Sequence, residues 1–346
     1  MRPTAFLFRH ETIVLAVLVG LVLVVGQINP AFYSFFNVFS LLKNSTVVGL
    51  FAIGFFLVLV VGGLDVSFAA IGVVSMYGTV KLSLAFFPDA NVVVLCVVAA
   101  LIGAGLGLIN GFLVTRLRAP SLIVTLGTMG LFRGFLLFFV GTETIRNVPE
   151  AMSKFSAANI LSMTAQNGAR VGLHVSVVIL LSVLAIVFFV LRYTVLGRSL
   201  YAVGGNPVAA RRMGINVDAV EMFAYCAGGL LSGLAGFMAA SMLRLANPQT
   251  LVGSELDVIA AVVIGGAAIT GGKGSVLGVF LGVALIVVTN NSLILLGIPA
   301  TWQKVATGAL LLAAIGLPLL AQRKWRLPFM SGTETAETSL SRSPSE

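Results

Sequence analysis

The side chains most able to do chemistry in this chain are charged residues that interrupt long apolar runs. Arg133 lies past the middle of one run, and Asp65 and Asp257 each stand at the beginning of another. A charge at membrane depth is costly, so it pairs, reaches out to water or faces a wet pathway. We therefore interpret Arg133 as either a structural partner or a pathway residue. For Asp65 and Asp257 we favour helix caps over substrate ligands, because a carboxylate complements the free amides and dipole at a helix start.

The motifs that nucleotide hydrolysis and metal chemistry require are missing. A phosphate-binding loop needs Gly-x-x-x-x-Gly-Lys-Ser/Thr, and the nearest approach, from Ala267 to Gly274, lacks the first glycine and the hydroxyl. A metalloprotease His pair and a Gly-x-Ser-x-Gly nucleophile turn are also absent from the sequence. The sequence therefore predicts that the chain is not an enzyme and has no catalytic residue, metal or cofactor.

A short basic segment between two long apolar runs has the features of a complete helix. Asn206 is a good N-cap, Pro207 suits the first helical position, and Gly214 fits the left-handed residue that closes a helix. A helix of about two turns cannot cross a bilayer, but it can press against another protein. The alternative is a polar loop with one incidental helical turn. The residues assigned to this contact are Asn206, Pro207, Ala209, Ala210, Arg211, Arg212 and Gly214.

Long apolar segments must position these residues, and they dominate the composition. Of 346 residues, 58% are hydrophobic and 10% are charged, and the mean hydropathy is +1.08. The apolar runs are about 18 to 25 residues long, which is enough to span hydrocarbon as helix. The sequence therefore predicts an all-α polytopic membrane protein with about ten transmembrane helices. The predicted spans are 12–29, 43–61, 66–86, 92–115, 120–141, 172–191, 218–243, 255–270, 275–296 and 303–321.

The distribution of Lys and Arg predicts the orientation of these spans. With the N-terminus inside, thirteen basic residues fall on the inner side and seven on the outer side, which favours an N-in, C-in topology. The loop 192–217 is then cytoplasmic, and the long loop 142–171 is external. The net charge of +9 is mostly this topology signal, and it does not predict a nucleic-acid partner. We predict one transmembrane domain over residues 1–330 and a disordered tail at 331–346.

Two sequence echoes predict an internal repeat between spans two to five and spans seven to ten. Gly63-Leu64-Asp65-Val66 is similar to Glu255-Leu256-Asp257-Val258. The third and eighth predicted spans run in opposite directions, so the two halves would form an inverted repeat. The second echo is a glycine at every fourth position in the fourth and ninth spans, which clears one helix face for close packing. The packing glycines predicted in this way are Gly103, Gly107, Gly111, Gly274, Gly278 and Gly282.

Four stretches of sequence give the chain a resemblance to a known family. They are residues 62–67, 123–134, 197–217 and 255–274, with Asn290-Asn291 after the last of them. The chain resembles the ribose-type permeases of bacterial ATP-binding-cassette importers, a group serving ribose, xylose, galactose, rhamnose and autoinducer-2. It departs from the family pattern at Ala69-Ala70, where Gly-Ser is frequent, so no role is carried over to that helix start.

The resemblance implies a permease of the bacterial inner membrane that translocates a simple sugar or sugar-like molecule. Besides membrane lipid, it implies three partners: an ATPase subunit that hydrolyses ATP, a secreted sugar-binding protein, and a second permease that is either a copy or a paralogue. The segment 206–213 would be the coupling helix that meets the ATPase, and the loops 142–171 and 244–254 would receive the binding protein. Arg211 and Arg212 would contact either the ATPase or anionic lipid headgroups.

Two rival functions stay open at the level of sequence. A permease of the branched-chain amino-acid group would have a similar architecture, but its substrates carry charge at both ends. An ion-coupled secondary carrier is disfavoured because its usual mid-membrane carboxylate is missing.

Overall fold

The computed structural model describes residues 10–164 and 170–324, and this part of the chain is predominantly helical. The predicted all-α class is confirmed, while the predicted tail at 331–346 lies outside the described residues. A 3₁₀ turn (Pro30–Tyr33) follows the first helix, a π-helical turn (Leu136–Val140) extends the fifth, and strands β1 (Asn159–Thr164) and β2 (Arg170–His174) form an antiparallel hairpin. The helices are α1 (His10–Ile28), α2 (Phe35–Val60), α3 (Phe68–Phe86), α4 (Val92–Leu117), α5 (Ser121–Phe135), α6 (Glu150–Ser156), α7 (Val175–Tyr193), α8 (Val195–Gly205), α9 (Pro207–Arg212), α10 (Val217–Leu243), α11 (Glu255–Ile264), α12 (Val276–Leu295) and α13 (Thr301–Lys324).

Several helices begin where a short polar side chain takes up a free backbone amide. The Asn91 side chain accepts the amide of the third residue of α4 at 2.9 Å. Asn216 does the same for α10 at 3.1 Å, and Ser275 for α12 at 3.0 Å. Because an unpaired amide is costly in apolar surroundings, these caps fix where the helices start.

Three long helices form the centre of the bundle. In the described residues, eight helical segments are long and apolar enough to cross a membrane, namely α1 to α4, α5 with its π-helical extension, α7, α10 and α12. In α2, α3 and α10, between 67% and 78% of the residues of an 18-residue apolar stretch are buried, against 17% in α1. Phe68 of α3 packs between Phe51 and Phe55 of α2, with ring centroids 5.3 and 5.7 Å away.

The predicted eighth span, 255–270, is wrong. α11 has 10 residues, so it is about 15 Å long, half the thickness of the hydrocarbon layer. An irregular segment, 265–275, follows it, with Gly266 and Gly271 at φ +87° and +82°. The whole window is apolar, and hydropathy therefore does not reveal the break. The predicted tenth span, 303–321, lies in α13, a helix of 24 residues.

The packing partners of the helices correspond to the predicted repeat. α3 packs against α4, α5 and α10, while α11 packs against α12, α13 and α2. α2 and α10 pack against each other between the two groups. This correspondence pairs α2 with α10, α3 with α11, α4 with α12 and α5 with α13. It supports a repeat of four helical elements whose second half contains the shortened α11.

Glycines allow α4 and α10 to approach until their backbones touch. A Cβ built on Gly103 would lie 2.2 Å from the carbonyl oxygen of Gly229, and one on Gly107 would lie 2.3 Å from that of Tyr225. A Cβ on Gly111 would meet the Tyr225 side chain at 3.1 Å. No larger residue fits at Gly103 or Gly107 without separating the two helices.

A second close contact joins α11 to α12. A Cβ on Gly282 would lie 1.9 Å from the carbonyl oxygen of Ala261, and one on Gly278 would lie 2.1 Å from that of Gly265. Gly274, at φ +144°, precedes α12, and a Cβ there would meet Phe56 of α2 at 2.6 Å. The glycines of both predicted series therefore lie at helix contacts.

We expect Gly107→Ala to lower the melting temperature of the detergent-solubilised protein by several degrees. The added methyl must push α4 away from a backbone carbonyl of α10, and overpacking of this kind costs about 1–3 kcal/mol. Gly105→Ala on the same helix is the matched control, because no atom lies within 4 Å of its Cβ position. Equal melting temperatures for the two variants would contradict the assigned contact.

Candidate coupling surface and charged contacts

The short helix α9 is closed at its start by the residues that the sequence singles out. The Asn206 side chain accepts the amide of Ala209 at 3.0 Å, and Pro207 occupies the first helical position. Proline has no amide hydrogen to leave unpaired there, and its fixed φ suits a helix. The start of α9 is therefore well defined by local interactions.

The end of α9 is closed by a left-handed glycine. Gly214 has φ +82°, and the amide of Ile215 reaches back to the carbonyl of Ala210 at 3.1 Å. The Gly214 amide bonds the carbonyl of Arg211 at the same distance. This pair of bonds is the Schellman arrangement, so the six-residue helix has both ends satisfied without help from a partner.

One side of α9 anchors it to the bundle and the other is exposed. Ala210 is fully buried, whereas Val208 and Met213 expose 61% and 69% of their surface. Arg211 pairs with Asp218 at the start of α10, with a nitrogen–oxygen distance of 3.0 Å. Arg212 is exposed beside it. The result is a rigid surface with two exposed apolar side chains and a flanking cation, suited to a protein contact.

A cavity of about 330 Å³ lies beside α9. Its wall includes Arg118 after the end of α4, Ser121 at the start of α5 and Arg211 of α9. Glu221 and Tyr225 of α10 also belong to it. Both signs of charge line it. The cavity separates the exposed helix from the end of α4 and the start of α5.

Asp65, two residues after Gly63 of the cavity wall, is buried. Its carboxylate accepts the Ser67 amide at 2.8 Å and the Ser67 hydroxyl at 2.6 Å. Asn110 of α4 donates to the same hydroxyl at 2.7 Å. Asp65 therefore orders the irregular segment 61–67, which leads into α3, and links it to α4.

Arg133 of α5 pairs with Glu255, the first residue of α11. The nitrogen–oxygen distance is 2.5 Å, and the two side chains are 28% and 18% exposed. The pair joins one half of the repeat to the other. The sequence did not identify Glu255 as a partner, although it stands in the same Glu-Leu-Asp-Val motif as Asp257.

Asp257 contacts α13 and does not cap α11. One of its oxygens pairs with Lys304 at 2.7 Å, and the other accepts the Thr307 hydroxyl at 2.9 Å. Lys304 also donates to the carbonyl of Gly253 at 2.7 Å. The first turn of α11 is thus held by a charged contact on each side, one to α5 and one to α13.

A polar cluster holds the opposite end of the bundle, where α7 begins. The Nδ1 of His174 accepts the Ser176 amide at 3.1 Å, and its Nε2 donates to the carbonyl of Phe155 at 3.0 Å. Burial lowers the pKa of His174, with a further contribution from the positive charge of Lys43. A neutral imidazole therefore ties the start of α7 to α6.

The loops on that side form one surface. The backbones of Ile145 and Ala246 bond each other in both directions at 2.9 Å. Asn247 donates to the Thr144 hydroxyl at 3.0 Å. The described part of the first loop, 142–164, and the segment 244–254 are therefore in contact.

The family model described as "Branched-chain amino acid transport system / permease component" matches residues 37–315. The chain belongs to this permease family. The match includes α9, the charged contacts of α11 and both glycine contacts. No solved structure matches the chain at a significant level.

Relatives of known name agree with the family. The chain is 34% identical over 298 residues to the ribose import permease protein RbsC of Haemophilus influenzae, covering 86% of this chain and 90% of that protein. It is 32% identical over 307 residues to the autoinducer 2 import system permease protein LsrC of Yersinia enterocolitica, covering 89% and 81%. It is also 32% identical over 312 residues to the RbsC protein of Escherichia coli, covering 90% and 94%. The resemblance to ribose-type permeases is confirmed, and with eight apolar helices it identifies a multi-pass permease of the bacterial inner membrane.

We expect Arg133→Gln and Glu255→Gln each to destabilise the protein by about 1–3 kcal/mol, because each leaves a half-buried charge without its partner. The double variant Arg133→Gln/Glu255→Gln should regain part of the loss. Thermal unfolding in detergent measures all three.

The control is Lys154→Gln, which breaks the exposed pair between Lys154 and Glu150, whose side chains are 75% and 78% exposed. A pair in water contributes little, so its melting temperature should equal that of the wild type. A double variant less stable than the sum of the two single changes would contradict the Arg133–Glu255 contact.

Proposed function

We propose that this chain is the transmembrane subunit of an ATP-binding-cassette importer and translocates a simple sugar or sugar-like molecule. The similarity to ribose and autoinducer 2 import permeases over 86–90% of the chain carries the proposal. A separate ATPase would hydrolyse ATP. In the described residues no group of three or more His, Cys, Asp or Glu is placed to hold a metal ion, and the one near match to a phosphate-binding loop falls in the irregular segment 265–275.

The surface of α9 is the proposed docking site for the ATPase. Val208 and Met213 would enter an apolar groove of the partner, and Arg212 would contact its acidic rim. The buried Ala210 side chain anchors α9 to the bundle, and the exposed pair between Arg211 and Asp218 links it to the start of α10. This role places α9 in the cytoplasm and agrees with the N-in, C-in orientation expected from the basic residues.

The opposite surface is the proposed docking site for a secreted binding protein. The segments 142–164 and 244–254 are in contact through Ile145 and Ala246, and the second segment leads directly into α11. Docking there would act on the charged contacts at the first turn of α11. ATP-driven movement at α9 and binding-protein release at the other end would then alternate the opening of the pathway.

A second permease is expected to pack against the outer face of the bundle. On α5, Gly127, Gly130 and Gly134 have no atom within 4 Å of their Cβ positions. Exposed Leu131 and Ile123 belong to the same helix. Glycines on an unoccupied helix face allow close approach of another helix, which supports a two-permease core.

We expect Val208→Asp/Met213→Asp to abolish co-purification of the ATPase from the native host, because two carboxylates would have to enter an apolar contact. Val195→Asp is the matched control: this residue is 69% exposed, precedes α9 in the same predicted loop, and lies at the start of α8. It should retain the ATPase. An ATPase retained by both variants would place the contact elsewhere, and none with the wild type would favour the ion-coupled carrier.

We expect cells expressing the complete importer to take up radiolabelled ribose and not leucine. Ribose is neutral, whereas leucine carries charge at both ends, and the similar import permeases are named for ribose and autoinducer 2. Uptake should stop when a nucleotide-site variant of the ATPase is used. Leucine uptake without ribose uptake would assign the chain to the branched-chain amino-acid group.

A further inference from the structure

Helix α8, which leads directly into the coupling helix α9, meets the bundle in a backbone contact with no side chain in between. Gly204 lies in the last turn of α8, two residues before the Asn206 cap. A Cβ on Gly204 would lie 1.8 Å from the carbonyl oxygen of Val60 and 2.7 Å from the amide nitrogen of Gly272. Val60 is the last residue of α2, and Gly272 belongs to the irregular segment 265–275. Three separate parts of the chain therefore meet at Gly204.

Hydrogen bonds hold the three parts together. The Gly272 amide donates to the Val60 carbonyl at 2.9 Å. The Tyr201 hydroxyl, one turn before Gly204 on α8, donates to the carbonyl of Gly274 at 2.9 Å. Hydrogen bonds therefore join both α8 and α2 to segment 265–275.

Three left-handed glycines, Gly62, Gly271 and Gly272, lie at the contact. Gly62 and Gly271 have φ +87° and +82°, and a Cβ on Gly271 would lie 2.6 Å from the Gly62 Cα. We call Gly62, Gly204, Gly271 and Gly272 the glycine junction. A Cβ on Gly204, Gly271 or Gly272 would lie within 3 Å of another backbone, whereas the nearest backbone atoms to a Cβ on Gly62 are 3.8 Å away, and glycine is favoured there by its left-handed φ.

The glycine junction touches one irregular segment in each half of the repeat. Segment 61–67 leads into α3 and holds Asp65, which is bonded through Ser67 to α4. Segment 265–275 follows α11, whose first turn is held by Glu255 and Asp257. A displacement at the glycine junction thus reaches the helix breaks of both halves.

We propose that Gly204 is a positioning residue for transport, and that the glycine junction passes displacement of α9 to segments 61–67 and 265–275 together. Close-packed backbones compress little and have no rotamers to change, so they transmit a shift that a flexible side chain would absorb. The inference rests on the proposed docking of an ATPase at α9.

The test compares two neighbouring alanine substitutions in the importer reconstituted with its ATPase and binding protein in liposomes. Gly204→Ala forces α8 away from Val60 and Gly272. Gly205→Ala is the matched control, since no atom lies within 4 Å of its Cβ position. We expect Gly204→Ala to keep the ATPase bound and to hydrolyse ATP within twofold of the basal rate. Imported ribose per ATP should fall at least tenfold, while Gly205→Ala should behave as wild type.

Several results would overturn the proposal. One is wild-type import per ATP by Gly204→Ala, and another is loss of the ATPase from a folded Gly204→Ala permease, which would make the glycine part of the docking surface. If Gly204→Ala does not fold, Tyr201→Phe decides, because it removes the bond to Gly274 without adding bulk. We expect its import per ATP to fall severalfold, and an unchanged ratio overturns the proposal. Failure of the proposed function looks different, because the wild-type importer itself would then neither retain an ATPase nor import ribose.

Discussion

Contact between backbones at glycine is the interaction on which this structure depends. Lipid tails are as apolar as the helix surfaces, so the hydrophobic effect gives little drive for one membrane helix to join another. Close van der Waals packing has to supply it, and small residues allow that packing. α10 is the central example: Gly229 and Gly233 meet α4, and a Cβ on Gly236 would lie 2.1 Å from the Gly72 carbonyl of α3. One helix thereby assembles much of the first half of the bundle.

Close backbone packing also encloses the shortened helix α11. A helix that stops halfway through a bilayer leaves backbone groups that lipid cannot satisfy, so it must be enclosed by other helices. Gly265 and Ala261 meet α12 closely, and α2 and α13 cover other sides of α11. Its first turn is then held by charged partners, Arg133 and Lys304.

The proposed function is divided between the two ends of the molecule. At one end, α9 is rigid by its own capping and presents Val208 and Met213 to a partner. At the other end, joined loops lead into α11. The described residues between them are mostly apolar and well packed, with few polar side chains from which a tight sugar site could be built. In the proposed importer, recognition of the sugar would belong mainly to the secreted binding protein, and the permease would supply a path and a mechanical link.

The sequence alone determined the class, the family and the local structure of α9. Hydropathy and run length are properties of composition, and caps such as Asn206 and Gly214 act within a few residues, so both can be read without a fold. It also pointed to the glycine series and to Arg133, Asp65 and Asp257 as notable residues. The sequence did not identify their partners, because Arg133 contacts Glu255 at a separation of 122 positions and Asp257 contacts Lys304 at a separation of 47. The break in α11 and the meeting of Gly204 with Val60 and Gly272 likewise depend on which backbones are brought together. Only the tertiary structure decides that, since side-chain periodicity records which face of a helix is small or apolar but not which helix covers it.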